Sequence, residues 1–327
     1  MPVVVSLFNN KGGVGKTTFL YHLAYRLAEL NKTVLMVDCD SQSNLTSYAL
    51  SETRINQSWA PEGNSIFRQL ELVNRTMGDI YNRMPTKVSN KLYLVPGDLS
   101  LSEFEDRLGE SWNGAKGGNE GSLRAQSAIY RIILQSIEKS DAEIVLLDLG
   151  PNLGAINRAV LAGSDYIIAP LSPDLFSIRG TENLGNKLVA WRKDWDQINS
   201  AWTGGDFLIP NGQPKFMGYI TQQHNIRNNS AGMTKGWQLF GSQIDGAITK
   251  NIVGKLMPLG QILIPSNGTF NLGMIPNLHS LIPYSLDAKK PVFNCTSSDG
   301  LNGAHISTAK DSRKLFDPIA QTLAAMA

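Results

Sequence analysis

Two lysines, three glycines and two threonines fall within the run Lys11-Gly12-Gly13-Val14-Gly15-Lys16-Thr17-Thr18, two residues after the apolar stretch Val3-Val4-Val5-Ser6-Leu7-Phe8 ends. Those residue types in that order suit the chemistry of phosphate. Gly12, Gly13 and Gly15 carry no Cβ, so the backbone can take positive φ and close its N–H groups around phosphate oxygens. A helix that starts there adds unpaired N–H groups and a partial positive charge. Lys16 is placed to neutralise β- and γ-phosphates, the Thr17 hydroxyl is a hard oxygen ligand for Mg²⁺, and Thr18 supports the helix start and the α-phosphate. An apolar strand, a glycine-rich turn and a helix in succession predict a nucleoside triphosphate site.

Two further clusters put carboxylates where such a site needs them. Thr33-Val34-Leu35-Met36-Val37 has the continuous apolar character of a buried parallel strand, and it runs into Asp38-Cys39-Asp40-Ser41-Gln42-Ser43-Asn44. Carboxylates then emerge at the carboxyl edge of the sheet, where ligands bind. The competing local reading is an N-cap cluster opening a helix. Glu143-Ile144-Val145-Leu146-Leu147 is a second such strand, and it ends in Asp148, followed by Pro151 and Gly154. A hydrophobic strand capped by an aspartate is the Walker B arrangement, whose carboxylate holds Mg²⁺ through a water.

The general phosphate-loop pattern of Gly, four residues and Gly-Lys-Thr is not met; a lysine opens the loop instead, and a second lysine closes it. In this the run Lys11–Thr18 resembles the ParA/MinD family of dimerising P-loop ATPases. The resemblance implies ATP and Mg²⁺ as cofactors and a homodimer in the ATP state, with Lys11 reaching the partner's nucleotide. It implies that Lys11, Lys16 and Asp40 form the catalytic set, with Asp40 orienting the attacking water, and that Thr17, Asp38 and Asp148 lie at the metal. Ser41 stands where the family has proline, whereas Asp148, Pro151 and Gly154 match Asp-x-x-Pro-x-x-Gly. The segment from Asn157 to Ser177 looks like the ParA branch. That branch implies a slow ATPase for DNA partitioning, an adaptor protein similar to ParB that stimulates hydrolysis, and nonspecific DNA binding. The DNA candidates are Arg227, Lys235, Lys250, Lys255, Lys289 and Lys290. Against them, Ile275-Pro276-Asn277-Leu278-His279 replaces the family's Pro-Arg segment. An engine of the same kind can position a protein assembly instead of DNA.

Composition bounds these expectations. A chain of 327 residues with 42% hydrophobic content can bury one large core. Strands alternating with helices predict an α/β fold, a doubly wound and mostly parallel sheet with helices on both faces, in one domain. A net charge of +2 offers no global attraction for a polyanion. Cys39 and Cys295 supply neither a zinc set nor a disulfide framework, which with the absence of a leader or an apolar span predicts a cytoplasmic protein. The C-terminal stretch from Leu315 lacks the cationic face of a membrane-binding helix and predicts a helix packed on the core.

The coarse map expects a helix over about 16–31 and a polar helical region over 48–90. It expects a strand at Leu92–Val95, a helix at Leu99–Leu108, a flexible loop at Gly109–Gly121 and a helix at Ser122–Lys139. Beyond these come a helix at 155–162, a strand at Tyr166–Leu171, a long helix from Pro173 to Trp195, an insertion at 196–214 and a strand at Lys215–Thr221. Trp191 and Trp195 have the i, i+4 spacing of a core-facing stripe, Trp59, Trp112 and Trp202 fall in expected loops, and His22, His224, His279 and His305 show no ligand spacing.

Overall fold

Strands whose side chains are buried on both faces must be sandwiched, and the central strands here have that character. The computed structural model describes residues 2–224, 235–278 and 280–327. Its strands are β1 (Val3–Leu7), β2 (Val34–Cys39), β3 (Thr86–Ser89), β4 (Leu92–Val95), β5 (Ile144–Leu149), β6 (Tyr166–Leu171), β7 (Lys215–His224) and β8 (Asn271–Pro276). They form one sheet in the order β3-β4-β2-β5-β1-β6-β7-β8. Every neighbouring pair is parallel except β3 with β4.

The period-2 alternation of strand side chains divides the core in two. Val5, Leu7, Val34, Met36, Ile144 and Leu146 point to one face. Leu35, Val37, Val145, Leu147, Ile167 and Ala169 point to the other. The helices are α1 (Lys16–Glu29), α2 (Asn44–Ala49), α3 (Glu52–Trp59), α4 (Ile66–Asn74), α5 (Leu101–Lys116), α6 (Glu120–Ser140), α7 (Ala155–Ala162), α8 (Leu175–Ala201), α9 (Lys235–Ile248), α10 (Gly254–Leu256), α11 (Ile282–Ala288), α12 (Ala304–Asp311) and α13 (Asp317–Met326). α1, α2 and α13 cover the first face, and α4 through α9 supply the second. The doubly wound expectation holds, and α13 packs on the core: Ile319, Ala320 and Leu323 are buried, and Phe316 before it meets Phe19 of α1 at 5.6 Å between ring centroids.

Four expectations of the map are corrected. The 48–90 region contains α3, α4 and the antiparallel edge strand β3, which a polar composition concealed. The loop expected at 109–121 is helix through Lys116, and the turn is confined to 117–119. Leu101, Phe104, Leu108, Ser111 and Ala115 are all buried, so the alternating three- and four-residue spacing runs straight through Gly109 and Gly114. Gly114 is a packing requirement: a Cβ there would lie 2.4 Å from Ser122 Oγ of α6. The long helix begins later and ends later than expected, because Asp174 caps it through Ser177 N–H at 2.9 Å and Trp195 and Ile198 carry its buried face onward to Ala201. The irregular connection is thereby shortened to 202–214. It is anchored where Gly212, at φ 67°, passes so close to Trp195 that a Cβ would come within 2.2 Å of Trp195 Cβ. Trp191 and Trp195 are buried as expected. Trp59 and Trp112 lie in α3 and α5.

Candidate functional site

The loop between β1 and α1 is built from the strand outward. Phe8 extends the pairing, its N–H donating to Ile168 O at 3.0 Å. The buried Asn9 side chain then pins the turn from both ends: Nδ2 donates to Pro170 O at 2.7 Å, and Oδ1 accepts from Lys11 N at 3.2 Å. Gly13 and Gly15 take φ of 70° and 87°, in the left-handed region expected of them. Gly12 rests against the Pro151 ring, and Val14 is buried. Gly15 is the N-cap of α1, so the first N–H groups of the helix open onto the loop. From the far side, the Gln222 amide of β7 faces the Val14 and Gly15 carbonyls.

Three of the predicted groups converge beneath this loop. Lys16 is only 7% exposed, and Nζ turns back to Lys11 O at 3.3 Å. Thr17 Oγ1 donates to Asp148 Oδ2 at 2.7 Å, while Asp148 Oδ1 is buried with no hydrogen-bond partner among the described residues. Asp38 and Asp148 are register partners on β2 and β5. Burial pushes both carboxyls well above the usual range, and the Asp38 charge pushes Asp148 further. Burial lowers the Lys16 pKa, against the opposing pull of Asp148 and Asp40. Asp38 is bound into the protein: Oδ2 accepts from Thr46 N at 2.8 Å and Thr46 Oγ1 at 2.6 Å, and Oδ1 from Asp40 N at 3.3 Å. Its first duty is to shape the loop after β2. Asp40 stands at the rim of a cleft of about 240 Å³, lined also by Gly150, Asn152, Glu105 and Asp106, and accepts Gln42 N–H at 3.0 Å.

Lys11 lies apart from this cluster. Its ammonium pairs with Asp174, the same carboxylate that caps α8, and the Lys11 side chain is one-third exposed. Lys11 and Lys16 thus leave one loop in different directions, one to the rim and one beneath.

A family model described as an AAA domain matches residues 3–200, the stretch that contains the loop and both acidic strand ends. The chain belongs to the ParA/MinD family of P-loop ATPases. It is 32% identical over 180 residues to an uncharacterized protein of Methanocaldococcus jannaschii, covering 55% of this chain and 62% of that one. It is 27% identical over 201 residues to the virulence plasmid ParA family protein pGP5-D of Chlamydia psittaci, covering 58% and 68%. The ATP complex of a McdA variant from Cyanothece superposes with a TM-score of 0.63 at 15% identity, covering 98% of this chain and 96% of that one, a likeness of fold. The chain thus matches about three-fifths of the length of the Methanocaldococcus protein.

As a member of the ParA/MinD family the chain carries several supporting residues that its sequence did not single out. Glu105 of α5 caps α7, its two oxygens accepting from Ala155 N and Ile156 N. Asn157 Nδ2 ties Gly150 O at 2.8 Å to Asn152 O at 2.7 Å, bracing the turn after Asp148. Nothing local to Glu105 announces that role; Asp174 was legible in principle, since Ser172-Pro173-Asp174 ahead of an apolar pair is an N-cap pattern. The DNA candidates are dispersed among internal contacts. Lys255 Nζ donates to Asn186 Oδ1 and Lys289 Nζ to Ser47 O, both at 2.6 Å, and Lys290 pairs with Asp299 at 2.7 Å. Arg227, the Lys235 side chain and His279 lie outside the described residues. His22 is structural: buried on α1, Nδ1 donates to Thr18 O at 2.7 Å and Nε2 accepts from Val292 N at 3.0 Å. Among the described residues no helix is long and apolar enough to cross a membrane, and no group of three His, Cys, Asp or Glu side chains forms a metal cage.

Proposed function

We propose that the chain is a switch ATPase of the ParA type, which binds ATP with Mg²⁺, dimerises in that state, hydrolyses ATP to ADP and phosphate, and partitions DNA. The observation that supports this best is the divergence of the two lysines, Lys16 beneath the loop among carboxylates and Lys11 at the rim against Asp174. Residues Lys11–Thr18 would cradle the phosphates, with Lys16 and the α1 N–H groups meeting the β- and γ-oxygens. The cleft of about 110 Å³ between Gly15, Thr18, Phe19, Gln222 and Pro276 would take the base end of the nucleotide.

Hard oxygen donors with an unsatisfied carboxylate oxygen fit Mg²⁺, which Thr17 would ligate and Asp148 would hold through water. With no carboxylate cage among the described residues, the remaining ligands would be phosphate oxygens and water. When bound, the ion neutralises charge on the triphosphate. Asp40 would accept the hydrogen bond that aligns a water for attack on the γ-phosphorus, and Lys16 would follow the charge as it develops. Lys11, drawn from Asp174 to the nucleotide of a second copy, would couple dimerisation to the γ-phosphate, so cleavage would loosen the pair. The likeness to a virulence plasmid ParA family protein supports DNA as cargo.

A second reading, positioning of a protein assembly without DNA, is favoured by the internal engagement of Lys255, Lys289 and Lys290. Light scattering of Asp40→Ala with ATP tests the engine: a trapped dimer is expected, and a monomer at all nucleotide concentrations would refute the switch. Retention of that dimer on nonspecific duplex DNA, falling steeply between 50 and 200 mM salt, separates the two cargoes. A dimer that ignores DNA at low salt would leave the second reading.

A further inference from the structure

Remote from the phosphate loop, α7 and α8 enclose with the segment ahead of β8 a cavity of about 20 Å³, lined by Arg158, Arg192, Trp195 and Gln261 among apolar side chains. Several polar atoms of its lining residues lack protein partners. Trp195 Nε1, Arg192 Nε, Arg158 Nε and Arg158 Nη2 are buried donors without an acceptor among the described residues, and Gln261 Oε1 is a buried acceptor without a donor. Trp195 is 1% exposed and Gln261 4%. A native interior leaves few such atoms, and here five of them belong to four residues that line one cavity.

The charge balance has the same sign. Gln261 already donates its amide to Pro214 O at 3.1 Å, and Arg192 shares its terminal nitrogens with Asp196 and Gln213. Arg158 stacks 3.5 Å over the Trp112 ring and makes no ion pair among the described residues. The nearest carboxylates are committed elsewhere, Glu105 to the α7 cap and Asp194 to Lys116. Burial lowers the Arg158 pKa to about 10, outweighing the opposing pull of the Asp194 and Glu105 charges.

We propose that this cavity binds a monovalent anion of chloride size, held by Arg158, Arg192 and Trp195. Four donors against one acceptor suit a ligand that only accepts, whereas a water would bring two protons of its own. The volume admits a monatomic ion. The anion ties α7, which follows the Asp148–Gly154 turn, to α8, whose cap holds Lys11; this inference does not depend on the ATPase reading.

Two measurements on the intact protein without nucleotide test it. Crystals soaked in bromide should show an anomalous peak between Arg158 and Trp195. Thermal midpoints at constant ionic strength should rise as chloride replaces gluconate, and Trp195→Phe and Arg158→Met should raise the chloride concentration for half-maximal stabilisation by roughly tenfold. Absence of the bromide peak overturns the proposal, as do coincident wild-type midpoints in the two salts or an unchanged chloride response in both variants. If neither variant folds, the bromide map and the wild-type midpoints decide the matter.

Discussion

Lys16 is the residue whose removal speaks most directly to the site. Its ammonium is buried with Asp148 and Asp40 as the charges acting on it, so Lys16→Ala takes away a cation beneath the loop and leaves the carboxylates facing any triphosphate. A charge-assisted hydrogen bond is worth about 1.5–3 kcal/mol, so ATP affinity should fall by roughly ten- to a hundredfold or more in an equilibrium titration. Unchanged affinity would end the loop assignment. Lys11→Ala should behave differently, keeping ATP affinity within a few-fold while light scattering shows the ATP dimer lost. Much of this site was legible because its chemistry is local: the glycines, Lys16, Thr17 and Asp148 fall where their spacing put them. Asn9, Glu105 and Gln222 were not, since each meets backbone that is remote in sequence and close only once the sheet is assembled.

Helices record the same contrast between local signal and tertiary demand. His22 clamps α1 to the chain at Val292, stacked 13° from parallel on the Phe316 ring. Burial pulls its pKa from 6.5 to about 4, so between those values the unfolded chain binds a proton that the folded one refuses. Stability therefore rises with pH across that window, and His22 contributes roughly 3 kcal/mol of the change at most. Denaturant unfolding at pH 4.5 and 7 should show a smaller difference in His22→Gln than in wild type; an equal difference would remove His22 as the cause. Gly212→Ala combines a left-handed backbone with a clash against Trp195 Cβ and should cost about 1–3 kcal/mol, seen as a lowered denaturation midpoint. Gly109 and Gly114 hid half of α5 from a propensity reading, although the buried spacing from Leu101 to Ala115 was continuous through them. The polar face of α4 and the brevity of β3 hid the edge of the sheet in the same way: four residues without an apolar alternation do not declare a strand.

For the molecule as a whole, the central parallel strands followed from apolar runs, two of which end in acid, whereas their order in the sheet is seen only in the structure. The antiparallel strand at one end did not. β3 is four residues long, its register slips between Lys87 and Ser89, Lys87 is exposed, and the Arg54 guanidinium occupies the Lys87 carbonyl. Shortness, irregularity and positive charge are the devices that keep a strand from recruiting another. That border therefore resists growth by backbone ladders, and fibres stitched edge to edge through it are disfavoured. In the proposed dimer, Leu175 and Phe176, exposed beside Asp174, would offer apolar side chains next to the carboxylate that holds Lys11, where a bound nucleotide would govern their use.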